Sequence, residues 1–255
     1  MQTPENVAPN AEVSFGAISE AVEQFKSNAG TWVVAVLVVV IISLVLSAIM
    51  NTFVFASMRS SMPMPVPGAP GMPPVMPRPS FNFPLIFIIS LVSLVINSLL
   101  GAGLFRMATK QMRGQAIAIG DLFDFGDVAA QAIIAGILLS LMIYIGTILC
   151  ILPGLVLGGL LMFTFPLIVD KKMSAIEAIS TSINALKGQW LMATVFALVV
   201  GILYAIGIFF CFVGVLVSAP IALLSVNVLY RNFFIGSSSP PSAGQTFEPA
   251  IPPGG

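Results

Sequence analysis

Three aspartates near the middle of the chain are the first candidates for chemistry. Asp121, Asp124 and Asp127 are spaced three residues apart. Carboxylates at that spacing share one face of a helix, where their oxygens could hold a hard cation. Hard-cation sites usually need more oxygen ligands than this run supplies. We therefore favour the alternative, in which Gly126 interrupts a helix and Asp127 caps the next one.

The only two cysteines, Cys150 and Cys211, lie near the ends of long apolar runs. The topology predicted below puts both on the non-cytoplasmic side, where the redox environment permits a disulfide. Such a bond would tie the second predicted hairpin to the third. The alternative is that both are small apolar residues at helix ends, since the sequence does not supply the Cα separation that a disulfide needs.

Methionines and prolines are concentrated between residues 56 and 83. The methionines are Met58, Met62, Met64, Met72 and Met76. Thioethers are soft ligands that select Cu(I), but this segment has no Cys, and the whole chain has no His. We predict an extended, polyproline-prone loop of low complexity, and we expect no metal or cofactor.

Composition sets the environment in which any site must work. Of 255 residues, 58% are hydrophobic and only 8% are charged, whereas soluble domains carry about 25% charged residues. This composition predicts that the solvent of the chain is a bilayer rather than water. Ten basic residues balance ten acidic residues, and this zero net charge argues against a nucleic-acid partner, which needs a basic surface.

Six uncharged apolar runs are long enough to cross about 30 Å of hydrocarbon, which takes roughly 20 helical residues. The predicted spans are about 32–55, 84–105, 128–150, 153–169, 190–210 and 214–230. Leu152-Pro153-Gly154 and residues 211–214 divide the two longest runs, because Pro and Gly interrupt helices. Backbone groups in lipid must be satisfied internally. We therefore predict an all-α polytopic membrane protein with six transmembrane helices in three hairpins.

These spans define the predicted domains. Residues 13–235 form the six-helix membrane domain, with 56–83 as an outer loop. Residues 1–12 form an N-terminal tail, and the Pro/Gly/Ser-rich segment 236–255 is predicted to be disordered.

Lys and Arg are divided unevenly between the two sides of the membrane. One side carries eight of them: Lys26, Arg106, Lys110, Arg113, Lys171, Lys172, Lys187 and Arg231. The other side carries Arg59 and Arg78. The positive-inside rule predicts a multi-pass protein of the cell (inner) membrane with both termini in the cytoplasm. The residues between the spans, from Arg106 to Lys187, form a predicted cytoplasmic basic face.

Segments 13–27 and 173–187 are amphipathic and each precedes a span. Ser174 and Glu177 spell a capping box at the start of the second segment. A fainter third copy lies at 116–125. This pattern favours three units, each an in-plane cytoplasmic helix followed by a transmembrane hairpin, as in transporters with internal repeats. The alternative is that short amphipathic helices before spans resemble one another.

The predicted spans contain no ionisable residue, which argues against ion coupling through charged side chains. No HExxH motif, paired intramembrane Asp or His is present, so we expect no enzyme activity. Asn51, Asn97 and Asn227 could line a substrate path, but such residues more often hydrogen-bond between helices. Gly154 and Gly158 spell GxxxG, which predicts a close-packing face.

Residues 150–190 carry a family resemblance. The matching positions are Leu152-Pro153-Gly154, Pro166, Asp170, Glu177-Ala178-Ile179, Ser182, Lys187-Gly188 and Trp190, with Arg113-Gly114 and Asp121-Leu122-Phe123 in the central loop. This pattern resembles an uncharacterised bacterial six-helix membrane family related to the membrane domain attached to some glycerophosphodiester phosphodiesterases. The Pro/Met loop departs from it as an insertion, and we expect no phosphodiesterase domain after the sixth span. The resemblance implies a membrane location and a fold, and no activity.

These observations predict a non-enzymatic integral membrane protein that organises lipids or protein partners at the cytoplasmic face. Its partners would be the bilayer and either anionic lipids, attracted by the basic residues, or other membrane proteins. The alternative is a permease for a small neutral or amphipathic solute. Convergence of the three asparagines on one cavity would favour the permease, and pairing of each asparagine with a neighbouring helix would favour packing.

Overall fold

The computed structural model describes residues 11–60, 83–149, 151–210 and 214–235. Over these residues the chain is helical and contains no strand, which confirms the predicted all-α class. The α-helices are α1 Gly16–Ser27, α2 Ala29–Ser60, α3 Phe83–Met112, α4 Ala129–Leu149, α5 Ile151–Leu160, α6 Thr164–Lys171, α7 Ala175–Leu186, α8 Trp190–Phe209 and α9 Val215–Phe234. Two short 3₁₀ helices, Ile119–Phe123 and Lys187–Gln189, complete the described elements.

Six segments are long and apolar enough to cross a membrane, as predicted. They comprise α2, α3, α4, α5 together with α6, the segment that contains α8, and α9. In lipid the helix satisfies every backbone N–H and C=O within the segment, so continuous apolar sequence adopts this conformation. The chain is therefore a polytopic helical membrane protein.

The fourth span is interrupted at a position that the sequence did not predict. α5 ends at Leu160, and α6 begins at Thr164 after a turn in which the Thr164 N–H donates to the Leu161 carbonyl at 3.1 Å. Pro166 lies in the first turn of α6, where its missing N–H removes no helical hydrogen bond. Pro220 lies inside α9.

The predicted hairpins are formed by α2–α3, α4–α5 and α8–α9, whose members pack on each other. Glycines permit the close approach next to two of the turns. An added Cβ on Gly154 would lie 2.5 Å from Thr147 Oγ1, and one on Gly214 would lie 2.5 Å from the Gly207 carbonyl oxygen. This contact explains how Gly214, a weak helix breaker by itself, comes to mark the third hairpin.

Short elements cover one end of the bundle, which we call the basal side. They are α1, the 3₁₀ helix Ile119–Phe123 and α7, and with the adjoining helix ends they form the basal cap. α1 and α7 are the amphipathic helices predicted at 13–27 and 173–187. Ser174 caps α7 by accepting a hydrogen bond from the Glu177 N–H at 3.4 Å. The third copy at 116–125 forms a five-residue 3₁₀ helix rather than an amphipathic α-helix.

The most deeply buried side chains lie in the basal half of the bundle. Trp32, Phe163, Phe196, Tyr230 and Phe233 are each at most 1% exposed. The Phe163 ring contacts the rings of Tyr230 and Phe233, with centroids 6.0 and 5.3 Å away. The helices therefore pack most tightly next to the cap.

Several sequence predictions concern residues outside those described. Cys150 and Cys211 both lie outside them, so the disulfide stays a prediction. The same holds for residues 61–82 of the outer loop, for residues 1–10 of the N-terminal tail and for the tail 236–255. α2 continues as a helix to Ser60, beyond the predicted end of the first span at residue 55.

Candidate functional site

The three aspartates of the central loop face basic side chains of the protein itself. Arg106 contacts Asp124 at 3.2 Å and Asp127 at 2.6 Å, and Lys172 contacts Asp127 at 3.1 Å. Lys110 contacts Asp121 at 2.5 Å. Asp127 was expected to cap the third span, and this is wrong, because its carboxylate accepts from Arg106 and Lys172 instead of the helix N–H groups. Within the described ranges no cluster of three or more metal-ligating side chains is found.

These ion pairs keep two of the carboxyl groups charged. The hydrogen bond from Arg106, reinforced by Lys172, holds the pKa of Asp127 below its usual range despite partial burial. Burial alone would raise the pKa of Asp121, but the hydrogen bonds from Lys110 and the Ala118 N–H, together with the nearby positive charges, outweigh burial and lower it. A carboxylate already bonded to protein cations has fewer oxygen lone pairs left for a metal ion.

Asp170 joins three helix ends of the basal cap. Its side chain is 5% exposed, and it accepts from the Arg113 guanidinium and, at 2.9 Å, from the Tyr230 hydroxyl. These residues come from the ends of α3, α6 and α9. Glu20 of α1 binds Arg231 of α9 through two hydrogen bonds of 2.6 and 2.8 Å. Residues from four distant segments thus meet on one side, which requires an even number of spans between them.

Glutamines make further cross-links that the sequence analysis missed. Gln111 accepts from the Trp32 indole N–H at 2.6 Å and donates to the Gln24 carbonyl at 2.6 Å, joining α3 to α2 and α1. Gln189 accepts from the Val13 N–H at 2.8 Å, and Gln131 accepts from the Ala175 N–H at 2.9 Å. In the sequence, these cross-links are indicated only by glutamines at the edges of apolar runs, where a long neutral amide can reach the backbone of another segment.

The predicted basic face is largely neutralised by this network. The residues in ion pairs are Arg106, Lys110, Arg113 and Lys172. The Lys171 ammonium lies 4.7 Å from the centroid of the Phe234 ring, and Lys187 donates to Asn184 at 3.0 Å. The fields of two opposite charges in contact nearly cancel at the larger distances over which a charged surface attracts lipid headgroups. The cap therefore presents a weaker positive field than the count of basic residues implies.

Large apolar side chains remain exposed on the same cap. The set, which we call the apolar rim, is Phe15 (41% exposed), Ile119 (41%), Phe123 (51%), Ile176 (72%) and Trp190 (48%). Phe15 directly precedes α1, and the others lie on the 3₁₀ helix Ile119–Phe123, on α7 and at the start of α8. Apolar and aromatic side chains at the ends of spans suit the boundary between hydrocarbon and headgroups.

A cavity of about 810 Å³, which we call the apolar cavity, lies between α2, α3, α5, α8 and α9 and is partly open to its surroundings. Its wall includes Gly158 and Gly201, and an added Cβ on either glycine would meet nothing within 4 Å. Gly158 was predicted to belong to a close-packing face with Gly154. That is wrong for Gly158, which faces open space, whereas Gly159 makes the close approach, with its Cβ position 2.9 Å from the Ala193 carbonyl.

The three asparagines do not converge on this cavity. Asn97 lines it, and its Oδ1 accepts from Ser43 of α2 at 3.1 Å. Asn51 lies on an exposed face of α2. Asn227 is fully buried in α9, and neither of its amide atoms has a hydrogen-bond partner within the described part of the chain. The packing interpretation therefore fits Asn97, and neither interpretation accounts for Asn227.

Comparison with known proteins finds uncharacterised relatives. A stretch of 127 residues is 31% identical to an uncharacterised protein of Mycobacterium bovis and to one of Mycobacterium tuberculosis. It covers 47% of this chain and 34% of each relative, so the match spans about a third of the relatives' length. No protein-family model matches the chain, and no solved structure matches it. These relatives carry no named activity, so a functional assignment depends on the basal cap and the cavity.

Proposed function

We propose that this protein is a non-enzymatic multi-pass protein of the inner membrane whose basal cap organises lipids or protein partners. We place the cap and both termini in the cytoplasm, because eight basic residues fall on that side against two on the other. The likeness of residues 150–190 to the membrane domain attached to some glycerophosphodiester phosphodiesterases stays a prediction.

The observation that carries the proposal is a cross-linked cap that leaves apolar side chains exposed. Side-chain bonds tie the elements of the apolar rim to the bundle: Glu20 joins α1 to α9, Asp121 joins the 3₁₀ helix to α3, and Gln131 of α4 accepts from the first N–H of α7. A surface that is already ordered loses less conformational entropy when it binds a partner. Ile176, at 72% exposure the most open member of the rim, is its leading contact.

Because most basic side chains of the cap are paired with carboxylates, binding through the apolar rim is favoured over long-range attraction to anionic lipids. Arg106, Lys110, Arg113 and Lys172 are compensated by carboxylates, so they add little long-range attraction. Lys26, Lys171 and Lys187 lie in no ion pair among the described residues, and they are the candidates for binding anionic headgroups. Binding that depends mainly on the rim should therefore change little between low and high salt.

The test is affinity purification of the full chain in mild detergent, followed by lipid and protein mass spectrometry. We expect a defined lipid or protein to copurify with the wild type and to fall about tenfold in Phe123→Ser/Ile176→Ser, a loss of about 1.4 kcal/mol. Ile235→Ser is the matched control, since Ile235 is 47% exposed on the same side but lies outside the rim. Recovery of neither lipid nor partner, or equal recovery from all three proteins, would contradict the proposal.

Orientation has its own test. In a Cys150→Ser/Cys211→Ser background, Ser180→Cys places a thiol on α7 in the basal cap. A membrane-impermeant maleimide should label it in inverted vesicles and leave it unlabelled in intact spheroplasts. Labelling in intact spheroplasts would place the cap outside the cytoplasm.

A permease for a small neutral or amphipathic solute is the second candidate, and the apolar cavity is what favours it. A transport path needs access from both sides, and Trp32 and Gln111 close the basal end through their 2.6 Å hydrogen bond. Reconstituted vesicles should then accumulate the transported solute faster with Gln111→Ala than with the wild type. Equal rates in both proteins for every solute tried would remove this candidate.

A further inference from the structure

The apolar cavity is elongated along the bundle. Its wall on α2 runs from Trp32 to Ser47, and its wall on α8 runs from Ala197 to Ile208. At 1.5 Å per residue these stretches are about 22 Å and about 16 Å long. One leaflet contributes about 15 Å of a hydrocarbon core that is about 30 Å thick. The cavity is therefore long enough for one extended acyl chain, and its volume of about 810 Å³ lies in the range of ligand sites.

The chemistry of the wall limits what can occupy the cavity. None of the lining residues is charged, and the lining is mostly aliphatic. Its polar groups are few: Ser43, Ser47, Asn97 and Tyr204, with the Trp32 indole already bonded to Gln111. A phosphate or carboxylate placed inside would lose its hydration without gaining a cation. The occupant must therefore be apolar along its buried length and keep any charged group outside.

The two ends of the cavity differ. At the basal end Trp32 is fully buried and bonded to Gln111, which closes that end. At the other end the wall reaches Ile208 and Val215, next to the turn between α8 and α9. α2 packs on α3 and α9, while α8 packs on α5 and α9, and α2 and α8 share at most marginal contact over the described residues. A chain can thus enter from the surrounding lipid between α2 and α8.

We propose that the apolar cavity binds one acyl chain of a membrane phospholipid from the leaflet opposite the basal cap. The headgroup stays near the turn between α8 and α9, and the chain end points toward Trp32. Asn97 and Ser43, both on the wall, satisfy each other through their 3.1 Å hydrogen bond, so the chain passes them without a polar partner. This site involves other residues than the apolar rim, so either proposal can fail while the other stands.

The probe is a phosphatidylethanolamine that carries a diazirine at the end of one acyl chain. The full chain is reconstituted in vesicles that contain this lipid, irradiated and mapped by peptide mass spectrometry. We expect label at the deep wall, on Val36, Leu104 or Val226, in excess of label on Ile202, a lipid-facing residue that is 50% exposed. Label confined to lipid-facing residues such as Ile202 would overturn the proposal.

Filling the cavity gives the matched comparison. Gly158→Phe and Gly201→Phe place a ring in open space inside it, whereas Gly101→Phe adds the same ring in open space outside it. We expect deep-wall label to fall about tenfold in the two filling variants and to stay unchanged in Gly101→Phe. Undiminished label in a folded filling variant would overturn the proposal. Should neither filling variant fold, the wild-type label map decides.

A second arm separates the two sources of an acyl chain. The same diazirine is placed on free palmitic acid, which lacks the glycerol backbone and the phosphoethanolamine headgroup that hold the phospholipid in its leaflet. We expect the phosphatidylethanolamine probe to label the deep wall and the fatty acid to label it far less. Equal labelling of the deep wall by the free acid would overturn the assignment to a phospholipid.

Discussion

Asn227 is a buried amide whose hydrogen-bonding groups have no partner within the described residues. A buried polar group left unsatisfied costs about 1–3 kcal/mol. We expect Asn227→Leu, which keeps the branched shape and removes the polar atoms, to raise the melting temperature in detergent. Asn227→Asp should lower it, because a charge would replace the amide in the same apolar surroundings. A fall in both variants would show that the amide has a partner after all.

Replacing Asp170 tests whether a buried carboxylate of the cap contributes more to the free energy of unfolding than an exposed one. It is 5% exposed and holds both Arg113 and Tyr230, whereas Asp124 is 56% exposed and contacts Arg106. We expect Asp170→Asn to cost about 1–3 kcal/mol in the free energy of unfolding, because charged hydrogen bonds are lost and half-exposed Arg113 can regain water. Asp124→Asn, the matched control, should cost at most about 1 kcal/mol. Urea unfolding in detergent measures both, and equal losses would contradict this ranking.

At the scale of elements, Gly103 sets the distance between α3 and the 3₁₀ helix Ile119–Phe123. An added Cβ on Gly103 would overlap the Leu122 carbonyl oxygen, whereas one on Gly101 would meet nothing within 4 Å. We expect Gly103→Ala to displace that 3₁₀ helix and to lower the melting temperature. Gly101→Ala should leave it unchanged or raise it, since Ala favours the helix by about 1 kcal/mol over Gly. Equal effects would show that the contact at Gly103 is easily relieved.

Elements were predictable from sequence to the extent that they depend on local pattern. The six spans, the hairpins and the amphipathic helices α1 and α7 follow from apolar runs, helix breakers and a capping Ser174. The turn at 161–163 was missed because Pro166, the visible signal, lies beyond it. The partners of Asp127 and Asp170, the role of Gly159 and the cavity beside Gly158 depend on how distant helices pack, which no local spacing encodes.

The whole molecule is asymmetric along its axis, and this asymmetry links the two proposals. Among the described residues, ion pairs, aromatic contacts and glutamine bonds are concentrated at the basal end, where Trp32 and Tyr230 are buried. The apolar cavity begins above Trp32 and extends to Val215 at the other end. A tightly packed end can hold the apolar rim in place, while the open end leaves room for lipid. The cap should therefore unfold last, and its stability should determine the stability of the whole chain.

Because the stability of the protein depends on the cap, and the cap on ion-paired carboxylates, the protein should be sensitive to acid. Asp121 and Asp127 have lowered pKa values in the folded state, because Lys110, Arg106 and Lys172 favour their charged forms. The stability they contribute is present above the unfolded pKa of about 3.9 and is lost as the pH falls through the lower folded values. We expect the melting temperature in detergent to fall below about pH 4, and to fall less steeply in Asp121→Asn/Asp127→Asn. Glu177→Gln, which removes a carboxylate that lies in no ion pair among the described residues, is the control and should keep the wild-type profile. If the double variant loses stability on acidification as steeply as the wild type, other carboxylates set the acid limit of the cap.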